Sequence, residues 1–145
     1  MGYTNELIRS MQWLGERPNT VFLGQQVEYD GNALFKSLHN VPSDKKRELP
    51  VAEDMQMGMS IGLSLTGKVP ISIYPRMNFL MCAMNQLVNH LDKMEEYSHG
   101  QYHPKVIIRV AVGSVRPMYP GVQHCGDFNF QLSNISVVRL KEDWN

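Results

Sequence analysis

Cysteine is scarce in this chain. Two occur in 145 residues, Cys82 and Cys125, far apart and in no Cys-x-x-Cys arrangement. No disulfide framework or cysteine-based zinc site is expected, and a reducing compartment, the cytoplasm, is the expected setting. Charge of one sign is also lacking: 14 basic and 14 acidic side chains leave a formal net charge of zero. That speaks against an electrostatic footprint for nucleic acid or an anionic membrane surface. No apolar run approaches the ~18 residues a membrane span requires. The opening MGYTNELIRS lacks a basic region followed by an apolar run, so it does not read as a secretory signal, and Glu6 stands where a myristoylation signal needs Ser or Thr. Phosphate-cradling loops (Gly-x-x-x-x-Gly-Lys-Ser/Thr, Gly-x-Gly-x-x-Gly) and the Gly-x-Ser-x-Gly elbow of hydrolases do not occur. There is no internal repeat.

What is present is a hydrophobic fraction of 43% with 19% charged residues. Those proportions suit one folded domain over 1–145 with a real core. Residues 4–14 place Leu7, Ile8, Met11 and Leu14 at helical spacing, with Thr4 or Asn5 as the expected N-cap. TVFLG (20–24) reads as a buried strand. The segment 25–49 reads as polar and irregular, with a turn at Tyr29-Asp30-Gly31-Asn32 and an exposed loop NVPSDKKREL. Lys45, Lys46 and Arg47 in that loop read as solvated. A helix is expected from about Glu53 to Thr66, closed by Gly67, then a strand VPISIY (69–74). A long helix follows from Met77 to about Tyr97, and further strands are expected at KVIIRVAVG (105–113) and NISVVRL (134–140). Strands written as near-continuous Val/Ile/Leu runs between helices predict an α/β fold: a mostly parallel sheet with helices on both faces. Ligands of such folds bind at the carboxyl ends of the strands.

Glu53 and Asp54 open an otherwise apolar, glycine-spaced helix. First-turn acids commonly serve only to complement a helix start. Gly58 and Gly62, one turn apart, favour close approach of another helix, inside the fold or across a subunit interface. His99 and His103 flank Gly100 and precede Pro104, so they read as surface histidines rather than zinc ligands. His124 lies in the loop after the third strand; alone it reads as solvent-exposed, and beside Cys125 it lacks the third group that a nucleophile–base pair needs. The ten methionines read as core filler.

Taken in order, FLGQQVEYDG, LPVAEDMQMGMSIGLSLTGKVPI, MNFLMCAMNQLVN, KVIIRVAVG and GVQHCGDF resemble the pyrimidine-binding domain of transketolase-like, thiamine-diphosphate-dependent enzymes, and most nearly the β subunit of 2-oxoacid dehydrogenases. The resemblance covers about 20–140. Its main carriers are the Pro-x-x-Glu-x-x-x-x-Gly segment from Pro50 through Glu53 to Gly58, and Phe79 followed by Asn85-Gln86-Leu87-Val88-Asn89.

The resemblance implies that Glu53 is catalytic and cofactor-binding, hydrogen-bonding the aminopyrimidine so that the thiazolium carbon can lose its proton. It also implies that Phe79 packs on the pyrimidine and that His124 is a catalytic residue steering substrate. Asp54 has no counterpart. Thiamine diphosphate would be the cofactor, and its magnesium ion would be held by the Gly-Asp-Gly…Asn motif of a separate diphosphate-binding, α-like subunit; no metal ligands are expected in this chain. A heterotetramer or homo-oligomer is implied, acting in 2-oxoacid decarboxylation or two-carbon transfer.

Departures from the family pattern are Gln25-Gln26 where two acids are usual, Asn85 for Asp, GSVRPMYPG for a Gly-rich loop, and Cys125-Gly126 for Ser-Gln. Gly126-Asp127-Phe128-Asn129 is not the magnesium motif, and by the resemblance the chain is expected to stop before the last elements of the pyrimidine domain. The alternatives are a sugar-phosphate branch, suggested by His-Cys-Gly-Asp-Phe, and a non-catalytic assembly module that keeps the fold.

Overall fold

In the computed structural model, which describes residues 2–128 and 131–140, the element order is α1 (Tyr3–Gly15), β1 (Thr20–Gly24), α2 (Ala33–Ser37), β2 (Lys46–Glu48), α3 (Glu53–Leu65), β3 (Val69–Tyr74), α4 (Met77–Leu80), α5 (Met94–Tyr97) and β4 (Ile107–Val110). The four strands form one sheet in the order β2-β1-β3-β4, and every neighbouring pair is parallel. The expected α/β architecture is therefore the observed one.

Alternation along the strands divides the core between the two faces of the sheet. Phe22, Ile71 and Ile73 pack with Met11, Leu38 and Val41 beneath α1 and α2. Tyr74, on the opposite side, joins Met57 and Ile61 of α3 and Leu80, Ala83 and Leu87 of the following helix. Helices thus cover both faces, as a sheet of buried parallel strands requires.

Local chemistry explains most boundaries. Asn32 caps α2, its Oδ1 accepting from Phe35 N at 2.7 Å, and Gly31 (φ 96°) makes the preceding turn. Gly67, at φ 86°, ends α3 as expected, its N–H bonding Ser64 O at 3.0 Å. The N-cap of α1 is Gly2 in extended conformation, with no side-chain cap, rather than Thr4 or Asn5.

Four expectations are corrected. NVPSDKKREL is not wholly an exposed loop, because Lys46–Glu48 forms the edge strand β2 with Phe22 paired to Lys46. Lys46 is not solvated but buried, its ammonium 5.1 Å from the centre of the Phe35 ring. The long helix at 77–97 is broken into α4, a 3-10 turn at Met81–Ala83, a π-helical stretch at Asn85–His90, a 3-10 turn at Leu91–Lys93, and α5. Residues 134–140 form no strand; the third expected strand, β4, is shorter than predicted and lies at the sheet edge, with Ile107 exposed.

The 133–134 segment is held by buried Asp92 instead, whose carboxylate accepts from Ser133 N at 3.2 Å and Asn134 N at 2.8 Å, while Asn134 Nδ2 donates to Asp92 O at 2.6 Å. Burial alone would raise the Asp92 carboxyl, but these N–H donors and Lys93, 3.2 Å away, hold it below its ordinary value. A carboxylate lowered on folding stabilises at pH above its unfolded value, near 4, and loses that contribution as pH falls through the lower folded value. Asp92→Ala is expected to lower stability by about 1–3 kcal/mol in denaturant titrations at neutral pH, with the deficit shrinking below pH ~4.

Candidate functional site

Parallel strands place all their carboxyl ends on one edge, and the sheet order reverses direction there between β1 and β3. That switch point is where open α/β sheets leave a crevice. Gln25 follows β1, Glu53 opens α3, Phe79 lies on α4 just past β3, and His124 lies in the loop beyond β4. All four residues belong to this edge.

Glu53 is buried, 7% exposed. Gln25, also buried, donates from Nε2 to Glu53 Oε1 at 3.0 Å. Among the described residues no other side chain is recorded bonding that carboxylate. Gly24 is required next to this pair: at φ 149° it lies so close to β3 that a Cβ would sit 2.1 Å from Ile73 O. Gln56, one turn into α3 and fully buried, ties the helix to β3 through Nε2 bonds to Ser72 Oγ (3.1 Å) and Ile73 O (3.0 Å), while its Oε1 has no partner.

Beneath Glu53, the Tyr74 hydroxyl donates to the Glu53 carbonyl at 3.4 Å and accepts from Ser72 Oγ at the same distance. Burial, aided by the charges of Glu53 and Asp54, pushes the Tyr74 phenol up to about 12. Asp54 itself is exposed and receives only a long bond, 3.4 Å, from Gln86 Nε2.

Phe79 and His124, distant in sequence, meet edge-to-face with ring centroids 5.5 Å apart and planes at 85°. His124 closes a 3-10 turn, Val122–His124, that starts from Gly121 at φ 108°. Its position depends on Gly113, where a Cβ would lie 2.0 Å from His124 O. The His124 Nδ1 is buried without a hydrogen-bond partner among the described residues, and Asn78 Oδ1 accepts from Gly126 N at 2.8 Å, pinning the loop onto α4. Cys125 Sγ turns to Ser114 O, 3.5 Å away, rather than to the imidazole. His99 and His103 are exposed as expected, His103 Nδ1 lying 3.3 Å from Glu95 Oε1.

The donor set fits an aminopyrimidine and a carbonyl substrate: one buried carboxylate with a spare oxygen, a half-buried phenyl ring, and an imidazole nitrogen without a partner. Two features were not foreseen in the sequence. The contact of Gln25 with Glu53 was one, although its place directly after a strand-ending glycine was the available signal. The anchoring of the turn after β1 by Glu48 was the other, hidden because Glu48 lies in a segment without apolar patterning.

Comparison with known proteins follows from this geometry. No family model matches the chain. It is 33% identical over 113 residues to the pyruvate dehydrogenase E1 component subunit beta of Gracilaria tenuistipitata var. liui, covering 75% of this chain and 34% of the relative. It is 32% identical over 99 residues to the same-named protein of Cyanidium caldarium, covering 66% and 30%. It is 31% identical over 117 residues to the mitochondrial pyruvate dehydrogenase E1 component subunit beta of Ascaris suum, covering 78% and 32%. The chain thus spans about a third of the length of the curated relatives it matches. Relatives whose names give a compartment are mitochondrial, as in Ascaris suum, or chloroplastic, as in Arabidopsis thaliana, which overturns the expectation of a cytoplasmic protein.

A phenol raised on folding stabilises the protein at pH below its unfolded value, near 10, and loses that contribution as pH rises through its folded value. Tyr74 is therefore expected to titrate last among the tyrosines, near 12 in ultraviolet absorbance; Tyr74→Phe should remove that final step.

Proposed function

This chain belongs with the β subunits of the pyruvate dehydrogenase E1 component, as a relative of about a third of their length, and on that premise we propose that it forms the pyrimidine-side half of a thiamine-diphosphate site. The observation that carries the reading is the buried Glu53 carboxylate, fixed through one oxygen by Gln25 at the switch point of the sheet. Thiamine diphosphate, when bound, supplies the carbon nucleophile that attacks a 2-oxoacid carbonyl.

The chain's residues have distinct tasks in that reaction. Glu53 would offer its spare oxygen to a ring nitrogen of the aminopyrimidine and hold a proton there, its burial strengthening such a bond. Phe79 provides an apolar face for the ring and excludes water from it. His124, held edge-on by Phe79, would bond the substrate's carbonyl or carboxylate through its imidazole. The diphosphate and its magnesium ion would be held by an α-like subunit in a heterotetramer, since the crevice described here offers one carboxylate and no phosphate-binding loop.

The test is reconstitution with a diphosphate-binding subunit, thiamine diphosphate and magnesium. Glu53→Gln is expected to lower 2-oxoacid turnover by at least about a hundredfold while leaving assembly intact, the scale of a lost acid–base contact. Near-normal turnover would overturn the assignment of Glu53. His124→Ala is expected to lower kcat for the 2-oxoacid with less effect on cofactor affinity, read by calorimetry of the assembled complex. An equal loss of both would remove its substrate role.

A further inference from the structure

We propose that Glu48, on the edge strand and outside every motif of the resemblance, is a positioning residue that holds Gln25 against Glu53; the inference rests on the thiamine-diphosphate reading for its functional consequence but not for its structural one. Glu48 Oε1 accepts from Gln26 N at 2.6 Å, and Oε2 accepts from Val27 N at 2.7 Å and Glu28 N at 2.9 Å. Three consecutive backbone N–H groups thus converge on one carboxylate. Such a concave set of amides is an anion-binding nest, and here its anion is supplied by the chain itself.

The nest forms because Gln26 adopts φ 64°, a left-handed conformation that a non-glycine residue keeps only when its surroundings impose it. Glu48 imposes it. β2 pairs with β1 so that Glu48 lies opposite Gly24, and Leu49 N bonds Gly24 O at 2.8 Å, which brings the Glu48 side chain up to the turn leaving β1. Gln25 stands between the two fixed points. Gly24 before it is locked against Ile73, and Gln26 after it is locked by Glu48. Its amide therefore has little freedom to leave Glu53 Oε1.

Glu48 is itself exposed, so replacing it removes the clamp without opening the core. The chemistry at Glu53 would then be tuned through two intermediaries, as outer-shell residues tune a reacting group.

The experiment is a double-mutant cycle of Glu48→Ala and Gln25→Ala, with Glu48→Gln as the conservative variant. Two readouts are taken: the side-chain amide resonances of Gln25 in the labelled full chain, and thiamine-diphosphate affinity in the reconstituted complex. Glu48→Ala should shift the Gln25 amide towards that of a free glutamine and weaken cofactor affinity on the order of tenfold. Glu48→Gln, which keeps one acceptor, should fall between. In the Gln25→Ala background Glu48→Ala should have almost no further effect, the signature of action through Gln25.

An unchanged Gln25 resonance in Glu48→Ala overturns the positioning role whatever the cofactor does. Additive losses in the cycle overturn it as well, since they describe general stability. A shifted resonance with cofactor affinity unchanged upholds the clamp and counts instead against Glu53 as the cofactor's acid.

Discussion

The fold depends on how closely β1 and β3 pair. Five residue pairs, from Thr20–Val69 to Gly24–Ile73, run side by side at the centre of the sheet. At the last of them the backbones approach so closely that only glycine fits on β1. The polar group at the carboxyl edge inherits its position from that contact. Gln25 leaves β1 at a defined angle because Gly24 cannot move, and Gln56 fixes the start of α3 by bonding the same Ile73 carbonyl. Glu53 sits one helical turn before Gln56 and so shares its anchor. The central pairing thus sets the distance between the two strand ends at which Gln25 and Glu53 meet.

The candidate site is built from two separately held groups at the carboxyl ends of the strands. One is polar and buried, with Glu53, Gln25, Tyr74, Ser72 and Gln56 joined by hydrogen bonds that cross from helix to sheet. The other is a ring contact, Phe79 on His124, supported by the loop that Asn78 and Gly113 hold in place. Where the sequence departs from the pattern of its relatives, the structure gives a local reason. Gln25, standing where an acid is usual, donates a hydrogen bond to Glu53 where a second carboxylate would have met it as a like charge.

Much of this was legible in the sequence, and the failures have physical causes. β1 and β3 announced themselves because strands buried on both faces are written in apolar residues almost throughout. α3 was visible from its apolar content, its first-turn acids and Gly67. β2 was invisible: Lys46, Arg47 and Glu48 carry no apolar pattern, and the strand forms by backbone pairing with β1, with the Lys46 ammonium over the Phe35 ring. NISVVRL erred the other way. Its β-branched run resembles a strand, but what fixes the chain before it is the Asp92 carboxylate, a contact between residues about forty apart that no local pattern reports. The residues Glu53, Phe79 and His124 came from motif resemblance, whereas the Phe79–His124 contact and the clamp at Glu48 needed coordinates.

The two rims of the sheet are not alike. At one, β2 is three residues long, entirely charged, and turns a lysine inward, so an incoming strand would find few free backbone groups and a buried cation to accommodate. At the other, β4 presents an exposed isoleucine in a strand of three apolar residues and Arg109. Among the described residues the sheet is thereby asymmetric: the β2 rim is short and charged, whereas the β4 rim is mostly apolar.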